Sequence, residues 1–187
     1  MMKSSIVTKF LAVAAAVLCV YAGPASAQDG GELSEKTVNV ITGFALTTIP
    51  SEIKRPDGSV MKIDKSDLSK IVVPVDDARR VIKVARLSAH AQMCDLPQLQ
   101  AQNYLTMMRQ ERAKDKWTEE QLLFINRLHL FTVMWLSGNV RFVDKGDGSK
   151  EPEIISDPDE SKNECTEEDR KQVRAAIENY LKQAKKS

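Results

Sequence analysis

The spacing of apolar and polar positions changes character near residue 76. Before that point the segments are short and rich in β-branched residues. TVNVITGFALTTI reads as a strand. SEIKRPDGSVMKID places Pro56, Asp57 and Gly58 between two short alternating runs. Proline presets φ at the second position of a turn and glycine accepts the positive φ that closes it, so the spacing predicts a β-hairpin. IVVPV reads as a third short strand or an extended connector. Residues 37–75 are therefore expected to form a small β element, behind a polar lead-in at 28–36.

From Asp76 the period becomes helical. Ala78, Val81, Ile82, Ala85, Ala89 and Met93 form one apolar stripe, with Asp76 or Asp77 as the start signal. Asp95 offers a cap and Pro97 a first-turn residue for a second helix, whose stripe is Ala101, Tyr104, Leu105, Met108 and Arg112. Thr118 with Gln121 spells a capping box for a third helix, apolar almost all round from Leu128 to Leu136 and ended by Gly138. That helix is expected to be the central one. Residues 144–164 have loop composition. Thr166 opens a last helix with apolar positions at Val173, Ala176, Ile177, Tyr180, Leu181 and Ala184. The expected fold is mainly α, of α+β type. A compact bundle of about four helices over 76–187 follows the β element, with an acidic loop at 144–164.

The first 27 residues stand apart. Lys3 and Lys9 precede an apolar run from Phe10 to Ala22, and Ala25-Ser26-Ala27 supplies the small residues of a cleavage site. This is the pattern of a secretory signal peptide cut after Ala27. Leu18 before Cys19 does not suit a lipoprotein signal. The expected destination is outside the cytoplasm, periplasmic or secreted, with no transmembrane span in the mature chain.

Export changes the meaning of the cysteines. The chain holds three, and Cys19 leaves with the signal, so Cys94 and Cys165 remain. A pair in an oxidising compartment is expected to form one disulfide, which joins the end of the first helix of the bundle to the start of the last. The whole chain has 27 basic and 26 acidic residues; removing two lysines leaves 25 against 26, a net charge of −1. Such a balance gives no general argument for nucleic acid or anionic membrane. Local charge is uneven. Eleven acids between Asp144 and Asp169 face three lysines, and Arg79, Arg80, Lys83 and Arg86 crowd one helix.

These features suggest some chemistries and exclude others. The arginine-rich helix is a candidate surface for an anionic partner, set against the plainer reading of a solvated or internally paired face. His90, Met93 and His129, with Met107 or Met108, offer imidazole and thioether donors of the kind that suit copper. Against this, Met93 lies on the apolar stripe, and no His-x-x-x-His or Cys-x-x-Cys spacing supports the site. Read from Asp144, the sixth and twelfth positions of a calcium loop hold Ser149 and Ile155, so that motif fails. Nucleophile elbows, zinc-protease motifs, phosphate loops and dinucleotide fingerprints are absent from the sequence. The reading is an exported cell-envelope protein without catalysis or cofactor. It would bind an envelope protein or a small anionic ligand, not nucleic acid; the alternative is a soft-metal protein using His90, Met93 and His129.

Overall fold

A computed structural model describes residues 32–143, 153–155 and 165–186. The expected signal peptide and most of the acidic loop lie outside the described residues. Among those described, five α-helices and two short antiparallel strand pairs make a mainly helical fold. No described helix is long and apolar enough to cross a membrane.

The segment expected to be a strand is a helix, α1 (Glu35–Thr47). Its burial has the helical period, with Val38, Ile41, Thr42 and Ala45 inside. A strand would put Val38 and Val40 on one face; instead Val38 is 0% exposed and Val40 49%. Ser34 starts the helix by accepting the Thr37 N–H at 3.1 Å. Packing of that face outweighs the weak β preference of its valines and threonines.

The hairpin forms as expected from β1 (Glu52–Lys54) and β2 (Val60–Lys62), with Ile53 opposite Met61. Gly58 donates to the Arg55 carbonyl at 2.9 Å with φ +84°, the conformation that glycine tolerates. Residues 72–74 are a connector, not a strand, and follow a short turn of helix that ends at Ile71; Ile71 and Val73 are buried.

The four expected helices are α2 (Val75–Met93), α3 (Pro97–Ala113), α4 (Glu119–Leu136) and α5 (Glu167–Ala184). Pro74 takes the cap position of α2, with Asp76 and Asp77 inside the first turn. Asp95 does not cap α3. It ends α2 at φ +52°, while Leu96 donates to the Ala91 carbonyl at 2.8 Å and Asp95 to Gln92 at 3.1 Å, a Schellman closure. The buried stripe of α3 is also rotated from expectation. Asn103, Met107, Met108 and Glu111 are inside, and Ala101, Leu105 and Arg112 outside. Polar residues hold two of those inward positions, which hides the stripe from a hydrophobicity reading. The capping boxes of Thr118 with Gln121 and Thr166 with Asp169 both form. Gly138, at φ +76°, closes α4.

The hub of the fold is α2, not the more apolar α4: α2 packs against α1, α3, α4 and α5. Buried Ala78, Ala85, Ala89 and Ala91 leave room for neighbours to approach closely on several sides. The main core joins α1, α2, α3 and α4 through Val38, Ile41, Ile82, Met107, Phe124 and Leu128. A smaller cluster of Ala91, Cys94, Leu96 and Ile177 seats α5 against the turn between α2 and α3. After α4, β3 (Arg141–Val143) pairs antiparallel with β4 (Glu153–Ile155). That pairing corrects the expectation of unbroken loop at 153–155.

Candidate functional site

Where α2, α3 and α4 meet, the apolar core is interrupted by a polar cluster. Ser88 on α2, Asn103 on α3 and His129 on α4 are all buried. Asn103 Nδ2 donates to the Ser88 hydroxyl and to the Val84 carbonyl, both at 2.9 Å. Ser88 Oγ lies 3.0 Å from His129 Nε2. The Ser88 hydroxyl can donate to Nε2 while it accepts from Asn103. Burial pushes the His129 pKa down to about 4, so the ring is neutral at physiological pH. The Tyr104 ring lies 5.1 Å from the imidazole.

The same helices border an open groove of about 420 Å³ beside this cluster. Its walls include Leu130, Val133 and Met134, with His129 and Tyr104 among the lining residues. Gln92, Gln100 and Asn126 add amides. Two of these amides are engaged: Gln100 donates to Gln92 at 2.9 Å, and Gln92 to Ser137 at 3.3 Å. The Tyr104 hydroxyl and the Asn126 amide make no hydrogen bond among the described residues. The lining carries no charged side chain. Such a cavity accommodates an uncharged molecule with an apolar body and one or two polar atoms.

The Ser88–His129 contact is not a nucleophile and its base. Ser88 is 0% exposed, so its hydroxyl is sealed from any substrate, and the Asn103 amide binds the serine oxygen rather than orienting the imidazole. The cluster ties three helices together through buried hydrogen bonds, although the Asn103 Oδ1 is buried without a hydrogen-bond partner.

The residues singled out from the sequence are divided among three places. Cys94 and Cys165 are bonded, with Cα atoms 5.1 Å apart. Arg79 donates from Nε to the Leu33 carbonyl at 2.9 Å and pairs with Asp76. Arg80 is held by Glu111 at 3.0 Å and Asp77 at 2.6 Å. Both arginines therefore have intramolecular partners, while Lys83 is exposed and Arg86 half-buried on the same helix. Glu111 is the buried centre of this second cluster. It accepts from Arg80, from Lys114 at 2.9 Å and from the Trp117 indole at 3.0 Å. Asp77 also accepts from Lys116 at 3.1 Å. Burial pushes the Asp77 pKa up, but its bonds from Arg80 and Lys116 prevail and hold it below the ordinary value.

His90 and His129 are not brought together, and Met93 is half-buried at the end of α2. Ser88 faces His129, and His90 follows two residues later, about 200° around the helix, which turns it to the other side of α2. There His90 stands at the surface. Partial covering of its ring and the Arg86 charge push its pKa down, opposed by Asp169. Among the described residues no three His, Cys, Asp or Glu side chains are grouped to hold a metal ion.

The sequence reading missed Ser88, Asn103, Asn126 and Glu111. Asn103, Met107 and Glu111 are spaced by four, which is a helix face, but a search for apolar stripes passes over it. Comparison with protein-family profiles, with characterised proteins and with solved structures found no match to this chain.

Proposed function

We propose that the chain is exported by its first 27 residues and works in the cell envelope as a non-catalytic binding module. Its helical bundle, stapled by the disulfide, holds a small uncharged organic molecule in the cavity between α2, α3 and α4. One observation carries this reading: the Tyr104 hydroxyl and the Asn126 amide line an apolar-walled cavity of about 420 Å³ without a protein partner among the described residues. Polar groups that line a groove without a protein partner are available to a ligand, which can bond them without first breaking a contact within the chain. The neutral His129 ring keeps the cavity free of charge, which favours an uncharged occupant.

Mature protein isolated from the export compartment and sprayed under native conditions is expected to carry extra mass of a small organic molecule. Ala101→Trp, which projects an indole from an exposed lining position, should abolish that mass. Tyr104→Phe with Asn126→Ala should weaken retention by about tenfold, the effect of losing one or two hydrogen bonds. A bare wild-type chain would overturn the reading. N-terminal sequencing of the same sample tests export directly, with Gln28 as the expected first residue.

A further inference from the structure

On the other flank of Leu130 and Met134 lies a second cavity, of about 340 Å³, between the end of α1 and the outer side of α4. Its apolar walls are Leu130, Phe131, Met134 and Val140. Arg127 enters it, and the Arg127 Nε is buried with no hydrogen-bond partner among the described residues. An arginine with a desolvated, unpaired N–H in an apolar pocket is costly unless something accepts from it. The other polar lining groups are Thr47 and Thr48. Their hydroxyls donate to the Phe44 and Ala45 carbonyls, each at 2.7 Å, so they bring no free proton to the pocket. Arg127 is thus the cationic donor of a pocket whose remaining walls are hydrocarbon and aromatic.

From this we infer that the Arg127 cavity is a binding site for an organic monocarboxylate with an apolar tail. The planar guanidinium matches a carboxylate fork, and the walls suit a short alkyl or aromatic body. The neighbouring end of α1 argues against a more highly charged ligand. That terminus carries partial negative charge, and α1 has no basic residue in its last turn. A single diffuse negative charge suits that setting better than a dianion. The site is separate from the uncharged cavity of the proposed function and does not rest on it.

Titration of the full mature protein with octanoate tests the site, read from the Arg127 Nε–Hε resonance in a nitrogen–proton correlation spectrum. The expected result is a saturating shift with octanoate, a much weaker response to acetate and none with octanol. In the Arg127 variants, which lack that resonance, binding is read from the backbone amides of Phe131 and Val140, which line the same cavity. Arg127→Gln should weaken octanoate binding by at least about tenfold, the usual scale for a charge-assisted hydrogen bond. Arg127→Lys, which keeps the charge but loses the fork, should fall between the two. Ala101→Trp fills the other cavity and should leave octanoate affinity unchanged. An unmoved wild-type resonance would sink the inference without recourse to any variant. So would acetate binding as tightly as octanoate, Arg127→Gln binding as wild type does, or loss of binding in Ala101→Trp.

Discussion

His129 sits where three helices converge, and its neutrality is a property of burial rather than of any charged neighbour. The consequence for stability has a definite sign. Burial lowers the folded-state pKa to about 4, against 6.5 in an open chain. Between those values the unfolded chain binds the proton and the native protein does not, so the native state loses ground as pH falls. His129's contribution is complete above pH 6.5 and declines on descent towards pH 4, by about 3 kcal/mol in all. Urea unfolding followed across that window should show the decline in wild type and a flatter profile in His129→Gln, whose amide oxygen can accept from Ser88. His90, also shifted downward, contributes with the same sign. His90→Gln should therefore remove only a smaller part of the slope, and an unchanged slope in His129→Gln would refute the assignment. The burial that causes the shift was legible in the sequence, because apolar residues flank His129. Its partner was not: Ser88 lies 41 positions away on another helix, and Asn103, which bonds Ser88 in turn, lies 26 positions away on a third. Short polar residues inside helices give no local sign of which way they face.

At the scale of the element, local chemistry was legible wherever it is self-contained. The hairpin turn at Pro56, Asp57 and Gly58, the capping boxes at Thr118 and Thr166 and the glycine after α4 all stand where their residues indicated. These signals lie within four residues of one another and depend little on the rest of the chain. The α1 segment was misread because its composition favours strand while its fold is decided by contact with α2 and α4. One residue in α1 records the tension between helix and sequence. Gly43 lies in mid-helix, and a methyl group added there would meet nothing within 4 Å. Gly43→Ala should therefore raise stability by about 0.5–1 kcal/mol, through a better helix former and a less mobile unfolded chain. A higher urea midpoint with an unchanged slope is the expected record. Destabilisation would mean that α1 is not helical at that position. Gly58 supplies the contrast, because its φ of +84° makes alanine strained in the same test despite equally open space.

Over the whole molecule, the cysteine pair was readable from the expected export signal and the count of cysteines, but its mechanical meaning needed the packing. The last helix buries only Ile177 fully, in a cluster separate from the main core. Its further ties include the Tyr180 hydroxyl donating to Gln110 at 2.7 Å and the partly buried Val173 and Leu181. The bond between Cys94 and Cys165 closes 71 positions and anchors the start of α5 beside the end of α2. Restricting a loop of that size contributes about 4 kcal/mol in the chain-entropy account. The loss on reduction should be unequal across the fold. In a Cys94→Ser, Cys165→Ser chain, amides of α5 are expected to lose most of their protection from hydrogen exchange, because little buried apolar area holds the helix down. Amides of α2 and α4, whose contacts are mainly with each other, α1 and α3, should keep theirs. Equal loss in all helices would make α5 an integral part of one cooperative unit. Retention of protection in α5 would mean that the Ile177 cluster seats the helix without the bond. The charged pair of Arg80 and Glu111 gives a second reading of the same experiment. It joins α2 to α3 and not to α5, so it should survive undocking. The Tyr180 pKa, raised to about 12 by burial and then by Glu111, should fall towards its ordinary value once the helix swings free. Ultraviolet titration of Tyr180, with the other tyrosines replaced by phenylalanine, would detect that fall even if exchange in α5 proved too fast to follow.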